Sequence, residues 1–403
     1  MGIDDSKKIL IIGSGIAGLS AAKAVLLQNP SAAVTIISQE KYPPYYRIRL
    51  CELIGKDTSF ENYFINPVSW YKDNGISLVL SEKVLKIDTA AKQVSIASGT
   101  YMYDSLIIAS GSVPVIPPFK GKELIGVHTL WNLDDISAIN STLSKSRKSV
   151  IIGGGLLGLE IAYHIRQMGI ETVLVEALPR LLPKQLDEEG ASIFTGKVDS
   201  VGIKAITGQS VTEFKGGHGN VEEVSLSDGQ SLQADIVVVS VGVRPDTSLC
   251  ADAGITLDRF IQVDDKMQTN IADIYAAGDV VSYNKQWFGL WLVADVQGKV
   301  AGTNAAGGNS VYQSQNNPYV LNTMGIRIVS AGDVDLSGDK HHEVTRSSDI
   351  GTFSYVRLDF RDNLLKGGIL MGLAAKGQVR LQALINSETP RESVSIEEFI
   401  QTH

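Results

Sequence analysis

The chain has 403 residues, which is too long for one ordinary domain and predicts two or three. Apolar residues make up 44% and charged residues 20%, a balance typical of a folded globular protein rather than a disordered one. The formal net charge of −8 argues against nucleic acid or an anionic membrane as the main partner.

Cysteine and histidine usage disfavours several kinds of redox and metal site. The two cysteines, Cys51 and Cys250, lie far apart in sequence, and no C-x-x-C pair is present. A dithiol of that type, an iron–sulfur cluster and a cysteine-bound zinc are therefore not expected. The six histidines show no metal-ligand spacing, so we predict no metal site. We expect a soluble protein of the reducing cytoplasm.

The first predicted element is a glycine fingerprint for a dinucleotide. An apolar run predicts a buried strand that ends at Gly13, and a helix is predicted over residues 19–27. Between them, Gly13, Gly15 and Gly18 form the pattern G-x-G-x-x-G. The first glycine permits the tight turn, the second lets a pyrophosphate approach the backbone, and the third lets the helix pack against the strand. The helix N-terminus then offers N–H groups and a partial positive charge to the phosphates.

An acidic residue completes this first site. A second strand is predicted over residues 34–37, and Glu40 follows it at about the distance expected of a carboxylate that holds a ribose hydroxyl. The succession of strand, glycines, helix, strand and acid predicts a dinucleotide site rather than an ordinary turn without a ligand. It also favours nucleotide binding over membrane insertion for the apolar stretch 9–27.

A proline-containing loop leaves the first site and carries two arginines. The paired prolines at 43–44 force extended backbone, and Arg47 and Arg49 follow. We predict that Arg47 is a phosphate ligand, whereas Arg49 is either solvated or faces a partner. Cys51 lies just beyond, near a predicted helix start, where a redox-active thiol of low pKa is one interpretation. The interpretation that we favour is a small packing residue.

Alternating apolar runs over residues 76–108 predict a small antiparallel meander that leads into a return strand. Ala109, Ser110 and Gly111 end that strand in a glycine turn. Prolines then follow and mark a linker to the next domain.

The fingerprint is repeated 140 residues after its first copy. The strand–glycine–helix pattern recurs at Gly153, Gly155 and Gly158, with the helix predicted over 157–169, and the strand that follows ends directly at Glu176. A repeat of the whole pattern predicts two dinucleotides bound by one chain. Two bound dinucleotides in turn suggest transfer between them.

Glu176 predicts which nicotinamide dinucleotide binds. A carboxylate at the strand end accepts hydrogen bonds from a ribose diol and repels the 2′-phosphate of NADP, for which an arginine is expected instead. Arg180 lies four residues further on, so the sequence leaves NADPH open. We favour NADH.

Apolar residues alternate again over residues 202–240. Another Gly/Pro junction follows, which contains Gly242 and predicts that the chain crosses back to the first domain. A short strand then closes at Gly278, and Asp279 follows where an acid can grip a polyol. A helix with two glycines one turn apart is predicted over residues 294–306.

We predict an α/β protein with two Rossmann-like, doubly wound, three-layer dinucleotide-binding domains and a C-terminal α+β domain. The last domain shows no chemical motif and is predicted to be an interface domain. The predicted ranges are 1–114 with 245–318 for the discontinuous first domain, 115–244 for the second and 319–403 for the third.

Four segments together resemble the flavin-dependent pyridine nucleotide oxidoreductases: the first fingerprint, the turn that begins at Ala109, the second fingerprint, and the stretch from Thr269 to Asp279. Within that superfamily, Pro44–Glu52 is most similar to the NADH:rubredoxin reductases and to the flavin module of the NADH-dependent nitrite reductases. Trp287–Gly298 is similar to their flavin-facing stretch. The resemblance implies FAD in the first site and NADH, rather than NADPH, in the second.

The resemblance also implies roles for single residues. Val84 would touch the adenine by its backbone, Asp279 would bind the ribityl chain, and Glu160 would lie near the nicotinamide. The residues assigned to FAD are Gly13, Gly15, Ile16, Ala17, Gly18, Glu40, Lys41, Arg47, Val84, Ala109, Ser110, Gly111, Gly278, Asp279 and Gln297. The residues assigned to NADH are Gly153, Gly155, Leu156, Leu157, Gly158, Glu160, Glu176 and Gly242.

We predict an enzyme in which NADH reduces FAD and the electrons pass to an acceptor protein such as rubredoxin. The cofactors supply the chemistry, so no catalytic residue is assigned. One alternative is the NADH-oxidising flavin subunit of a larger iron–sulfur or molybdenum/tungsten complex, for example a nitrite reductase or aldehyde oxidoreductase. Another is a single-cysteine NADH peroxidase or oxidase that uses Cys51. The lack of a second cysteine nearby excludes the dithiol chemistry of the disulfide reductases.

Overall fold

The computed structural model describes residues 6–314 and 318–400. Residues 1–5, 315–317 and 401–403, which include the outer ends of the first and last predicted domains, lie outside this description. The chain forms two compact units. One combines the chain up to Leu50 with Thr58–Val113 and Val243–Ser314; the other combines Cys51–Asp57, Pro114–Gly242 and the chain after Ser314. The finer division into three domains stays a prediction.

The helices of the described residues are α1 (Ile16–Gln28), α2 (Val68–Asp73), α3 (Leu133–Leu143), α4 (Leu156–Gln167), α5 (Glu188–Ser200), α6 (Trp291–Ala305), α7 (Gln378–Asn386) and α8 (Glu397–Ile400). The strands are β1 (Lys8–Ile12), β2 (Ala33–Ile37), β3 (Ile76–Val79), β4 (Val84–Asp88), β5 (Gln93–Ile96), β6 (Gly99–Met102), β7 (Ser105–Ile108), β8 (Ser112–Pro114), β9 (Val127–His128), β10 (Lys148–Ile152), β11 (Glu171–Glu176), β12 (Ile203–Thr207), β13 (Val211–Lys215), β14 (Glu223–Leu226), β15 (Ser231–Gln233), β16 (Ile236–Val239), β17 (Val243–Pro245), β18 (Ile261–Val263), β19 (Ile274–Ala276), β20 (Val281–Tyr283), β21 (Tyr319–Thr323), β22 (Ile326–Gly332), β23 (Glu343–Asp349), β24 (Ser354–Arg361) and β25 (Leu364–Met371).

The first unit is built on a parallel sheet in the order β19-β7-β1-β2-β3. Strand β1 is central and is buried from Ile9 to Ile12. Its continuous apolar run is typical of a strand that is covered on both faces. Helices α1 and α6 pack closely on one face. A Cβ atom at Gly298 would lie 2.2 Å from the Ala17 carbonyl oxygen, and one at Gly302 would lie 2.2 Å from that of Ala21, so both positions require glycine.

The other face of this sheet is covered by the antiparallel sheet β4-β5-β6, which is the predicted meander without its first run. That run, Ile76–Val79, is β3 and pairs in parallel with β2 instead. Val84, Val94 and Ile96 of the meander share one buried cluster with Leu10 and Ile12 of β1. The helix–sheet–meander arrangement places the carboxyl ends of β1 and β2 at one edge, where ligands of open parallel sheets bind.

The second unit contains a matching parallel sheet in the order β12-β11-β10-β16-β9. Its central strand β10 pairs with β11 and β16 in the same way as β1 pairs with β2 and β7. The antiparallel sheet β13-β14-β15 supplies Phe214 and Val224 to the core beneath it. The predicted α/β class with duplicated dinucleotide-binding topology is confirmed.

The C-terminal part of this unit is an antiparallel sheet in the order β21-β22-β25-β24-β23. Helix α7 and the short turn Gly372–Gly377 cover one face through Leu381, Ala374 and Ala375. The edge strand β23 is largely exposed and its sequence carries little apolar signal, so the sequence pattern alone does not reveal it.

Three helix starts differ from the sequence prediction. Helices α1 and α4 begin at Ile16 and Leu156, directly after the second glycine of each fingerprint, instead of residues 19 and 157. Helix α6 begins at Trp291, three residues before the predicted start at residue 294, and its N-cap Leu290 has extended backbone and no side-chain capping bond.

Candidate functional site

The first fingerprint forms a backbone turn, here called the cradle, made by Gly13, Gly15 and Gly18. The cradle is tightly packed at its first and third glycines and open at its second. Gly13 has φ of +107°, and a Cβ atom there would lie 2.1 Å from the Ala109 carbonyl oxygen. A Cβ atom at Gly18 would lie 2.1 Å from the Gly13 carbonyl oxygen, whereas one at Gly15 would meet nothing within 4 Å. The open position is the one expected to face a pyrophosphate.

Helix α1 presents its N-terminus to this open space. Gly15 is the N-cap and makes no side-chain capping hydrogen bond, and the first turn that Ile16 and Ala17 begin contains no acidic residue. The first N–H groups of a helix have no intrahelical partner, and their partial positive charge favours an anion. This donor set fits the phosphates of a dinucleotide.

The residues predicted for the flavin end converge on the same cradle. Gln297 is 1% exposed and its side chain accepts the Gly278 N–H at 3.0 Å. A Cβ atom at Gly278, where φ is +84°, would lie 3.0 Å from the Ala17 side chain. The structure therefore brings Gly278 and Gln297 against the fingerprint helix.

Asp279 is oriented by a residue that the sequence analysis did not assign. The Ser112 hydroxyl donates to Asp279 Oδ2 at 2.9 Å. Burial raises the pKa of the Asp279 carboxyl, and the Ser112 hydrogen bond and the Arg47 charge only partly oppose that effect. Ser112 lies one residue after the predicted Ala109–Gly111 turn. This position next to the turn is the one feature of the sequence that points to Ser112 as a site residue. A half-buried, oriented carboxyl suits the hydroxyls of a polyol.

The Ala109–Gly111 turn is held by the returning chain. The Ser110 hydroxyl donates to the Asp246 carbonyl at 2.9 Å, and the Asp246 N–H donates to the Gly111 carbonyl at 3.0 Å. Gly111 has φ of +72°, which favours glycine. Val84 lies in the buried cluster behind the ends of β1 and β2.

Glu40 is anchored by side chains of the loop that follows it. The Tyr45 hydroxyl donates to Glu40 Oε2 at 2.7 Å, and Arg47 Nη2 donates to Glu40 Oε1 at 2.5 Å. Arg47 therefore holds the predicted ribose acid as well as lying near Asp279. Lys41 is exposed and lies over the Tyr42 ring.

The second fingerprint repeats the cradle in the second unit. Gly153 has φ of +112°, and a Cβ atom there would lie 2.2 Å from the Ser240 carbonyl oxygen. A Cβ atom at Gly158 would lie 2.0 Å from the Gly153 carbonyl oxygen, and one at Gly155 would meet nothing within 4 Å. Gly155 is again an N-cap without a side-chain capping bond. The predicted residues Leu156 and Leu157 begin α4, and Gly242 adopts φ of +111° beyond β16.

Glu176 is anchored by the backbone. Its Oε2 accepts the Gly154 N–H at 2.6 Å and its Oε1 accepts the Leu178 N–H at 2.8 Å. The carboxylate is thus fixed to the fingerprint itself, with lone pairs left for a ribose diol. Arg180 donates through Nε to the Leu186 carbonyl at 3.1 Å and lies within reach of the Pro183 carbonyl.

Buried Cys51 and half-buried Glu160 form a pair in the second unit. Cys51 is 3% exposed on the short 3-10 helix Arg47–Leu53, and its thiol hydrogen-bonds to Glu160 of α4. Burial and the Glu160 charge raise the pKa of the Cys51 thiol well above its usual range. Burial raises the pKa of Glu160 to about 7, and the nearby Glu52 adds to this effect. A buried, protonated thiol is a poor nucleophile, which disfavours a peroxidase that uses Cys51.

Among residues 6–314 and 318–400, every helix is too short or too polar to cross a bilayer. Over those ranges, histidine, cysteine and acidic side chains form no group of three or more that fits a metal ion.

Comparison with known proteins agrees with this geometry. The family model for pyridine nucleotide-disulphide oxidoreductases matches residues 7–298, and the model for the rubredoxin NAD+ reductase C-terminal domain matches residues 319–389. The chain is 35% identical over 391 residues to the NADH-rubredoxin oxidoreductase of Clostridium acetobutylicum, which covers 97% of each protein. It is 32% identical over 385 residues to the NAD(P)H nitrite reductase of Bacillus subtilis, which covers 95% of this chain and 47% of that protein.

A solved structure shows the same fold. The crystal structure of the Clostridium acetobutylicum NADH:rubredoxin oxidoreductase superposes with a TM-score of 0.83 at 34% identity, over 98% of this chain and 99% of that one. The chain therefore spans nearly all of one relative and about half the length of the nitrite reductase. FAD and NADH are the cofactors of this oxidoreductase family. The chain belongs to the pyridine nucleotide-disulphide oxidoreductase family, as the resemblance predicted.

Proposed function

We propose that this protein is an FAD-dependent reductase that takes electrons from NADH and passes them to an acceptor protein of the rubredoxin kind. The observation that carries the proposal is the duplicated cradle: two fingerprints with the same open second glycine, each followed by an anchored acid. The end-to-end similarity to an NADH-rubredoxin oxidoreductase supports this choice of acceptor.

In the first cradle, we propose that Gly15 and the first N–H groups of α1 bind the FAD pyrophosphate and that Asp279 binds the ribityl chain. Glu40, fixed by Tyr45 and Arg47, is proposed to hold the adenosine ribose. Bound FAD supplies hydride acceptance from NADH and electron release to the acceptor. The protein's part is to hold the ring, exclude water and set the local charge.

Helix α6 is proposed to contribute that charge. Its first turn from Trp291 carries no acidic side chain, so no carboxylate of that turn compensates the partial positive charge at its N-terminus. Directed at a bound flavin, this charge would favour the reduced anionic form by roughly 0.5–2 kcal/mol.

In the second cradle, we propose that Gly155 and α4 bind the NADH pyrophosphate and that Glu176 accepts hydrogen bonds from the adenosine ribose diol. Glu176 cannot turn away to admit a 2′-phosphate without breaking its bonds to Gly154 and Leu178. Arg180 already donates to a loop carbonyl, which makes it a weak substitute phosphate ligand. Both features favour NADH over NADPH.

A second candidate function is the flavin module of a larger complex, because the chain aligns with about half of a nitrite reductase. In either case we propose three domains. The first comprises residues 1–114 with 245–318, the second 115–244 and the third 319–403, and the third is proposed to contact the acceptor. A cytoplasmic location is proposed with them; the two cysteines, both unpaired, suit a reducing compartment.

Steady-state assays with the flavin-loaded protein test the proposal. We expect NADH oxidation to accelerate when a one-electron carrier protein such as rubredoxin is added, and to be slow with oxygen alone. Peroxide serves as the matched control acceptor for the thiol-dependent alternative. A rate of NADH oxidation that does not change with rubredoxin concentration but rises with peroxide concentration would contradict the proposed acceptor.

A further inference from the structure

The loop between β11 and α5, residues 177–187, packs directly on the second fingerprint. The Leu182 N–H donates to the Gly154 carbonyl at 3.0 Å, and a Cβ atom at Gly154 would lie 2.7 Å from the Leu181 side chain. At the start of the loop, the Leu178 N–H holds Glu176. The position of this loop therefore bears on the backbone and the acid that are proposed to bind NADH.

The far end of the loop is fastened to the C-terminal sheet through one carboxylate. Asp187 is 5% exposed, and its Oδ1 accepts the Gly190 N–H at 3.1 Å as the N-cap of α5. Its Oδ2 accepts the Tyr355 hydroxyl at 2.7 Å and Arg357 Nη1 at 2.8 Å, both from β24. Arg346 Nε on β23 lies 3.3 Å from the same oxygen.

The C-terminal side of this contact is itself held in place. Arg357 is 3% exposed and donates two further hydrogen bonds of 2.8 Å to Asp359 and one of 2.5 Å to the Asp335 carbonyl. Burial alone would raise the pKa of the Asp187 carboxyl, but the hydrogen bonds from Tyr355 and Arg357 lower it below its ordinary value. Asp187 is therefore ionised and held by donors that cannot easily move.

A cavity of about 200 Å³ lies between this loop and α5. Its lining includes Pro179, Arg180, Glu188, Ser192, Thr195 and Thr207. Thr207 pairs in register with Glu176, so the cavity opens beside the strand end that carries the proposed ribose acid. The shape of this cavity depends on the positions of the 177–187 loop and of the first turn of α5. Asp187 connects that loop to that turn.

We propose that Asp187, Tyr355 and Arg357 are positioning residues for the adenosine half of NADH, through which the C-terminal sheet holds the 177–187 loop in its binding position. The inference rests on the proposed NADH site. A loop that is ordered before binding loses less conformational freedom when the ligand arrives, so the same contacts give a higher affinity. The reacting groups are untouched, so the maximal rate should not change.

Three variants separate the parts of this contact. Tyr355→Phe removes one hydrogen bond and keeps the ring, Asp187→Asn keeps an N-cap acceptor but loses the charge, and Arg357→Met removes the main donor. We expect the KM for NADH to rise about 5- to 20-fold, as for lost charge-assisted hydrogen bonds to a buried group, with kcat within about two-fold. Tyr355→Phe should show the smallest rise.

Calorimetric titration of the flavin-loaded variants with ADP-ribose, which lacks the nicotinamide, localises the effect. We expect ADP-ribose affinity to fall by the same factor as KM rises. The control is Lys366→Gln, which breaks an ion pair with Glu388 elsewhere in the C-terminal domain and should leave both values unchanged. If Arg357→Met does not fold, as judged from its flavin spectrum and melting temperature, Tyr355→Phe and Asp187→Asn carry the test.

The outcomes of the proposal and of the NADH site are distinguishable. The positioning role would be overturned if Tyr355→Phe and Asp187→Asn bound ADP-ribose with wild-type affinity while NADH still reduced the flavin. It would also be overturned if Lys366→Gln lost as much ADP-ribose affinity as those variants. Failure of NADH to reduce the flavin of the wild-type protein would instead overturn the proposed function.

Discussion

The two glycine fingerprints have the same backbone but differ in how their acids are held. Gly13 and Gly153 both adopt φ near +110°. Each faces the carbonyl oxygen of the residue just after a neighbouring strand, Ala109 or Ser240, so closely that a side chain cannot fit. By register, Ser38 of the first site corresponds to Glu176 of the second, and Glu40 lies two residues later. The acid of the first site is therefore displaced into the following loop.

This displacement changes what each acid depends on. Glu40 is held by side chains, Tyr45 and Arg47, whereas Glu176 is held by two backbone N–H groups. A hydrogen bond from a backbone N–H remains when the side chain of the donor residue is substituted, whereas a hydrogen bond from a side chain is lost. The glycines thus provide the same phosphate cradle twice, and the surroundings of the acids make the two sites respond differently to substitution.

The largest expected effect comes from the crowded glycines. Gly153→Ala places a Cβ atom 2.2 Å from the Ser240 carbonyl oxygen at a positive φ, so the cradle must shift at a cost of about 3 kcal/mol, or about 100-fold in NADH affinity. Flavin content measured from the visible spectrum should stay normal. Gly13→Ala is the matched variant and should lose flavin instead. If both variants lost the same cofactor, the assignment of the two sites would be wrong.

The next effect concerns the two acids. Glu176→Ala should raise the KM for NADH by about 10-fold and narrow the preference for NADH over NADPH, since a ribose acceptor and a repulsive charge are both lost. Initial rates with each nucleotide measure this preference. Tyr45→Phe, which removes a support of Glu40, should weaken FAD retention without changing that preference. An unchanged NADPH rate in Glu176→Ala would place the ribose elsewhere.

The pH dependence of stability should be set in part by Glu160. Its pKa of about 7 in the folded protein lies above the ordinary value of 4.5, so the folded state holds the proton more tightly. The stability from this proton is complete below pH 4.5 and is lost as pH rises through 7, by about 3 kcal/mol at most. Melting temperatures of the wild type and Glu160→Gln should therefore diverge between these pH values, with Glu160→Gln the more stable above pH 7. Parallel curves would show that the pKa of Glu160 is not raised in the folded protein.

The smallest effect is expected at the thiol. Cys51→Ser should retain NADH-dependent turnover, because the buried thiol has a raised pKa and is not needed for flavin reduction. Cys250→Ser, at the other buried cysteine, is the control for packing loss. Loss of turnover in Cys51→Ser alone would restore the single-cysteine alternative.

Local pattern made most of the fold predictable. Glycine spacing and apolar runs predicted both parallel sheets, both fingerprint helices and the positions of Glu40 and Glu176. The two glycines predicted one turn apart on a helix, Gly298 and Gly302, lie on α6 where it approaches α1 closely. These features are encoded within about 40 residues of sequence each.

Contacts between distant residues were not predictable from one sequence. Asp187 and Arg357 are 170 positions apart, and Ser112 reaches Asp279 across 167 positions. No spacing rule brings such residues together, because their meeting depends on the packing of whole sheets. The low pKa considered for Cys51 was wrong for a similar reason, since burial against Glu160 outweighs the helix start.

Anaerobic stopped-flow mixing of the flavin-loaded protein with NADH tests the central claim most directly. We expect the yellow flavin absorbance to bleach in a single-turnover phase, with the same limiting rate but a higher half-saturating NADH concentration in Glu176→Ala. A fully loaded wild-type protein whose flavin absorbance is unchanged by saturating NADH would contradict it.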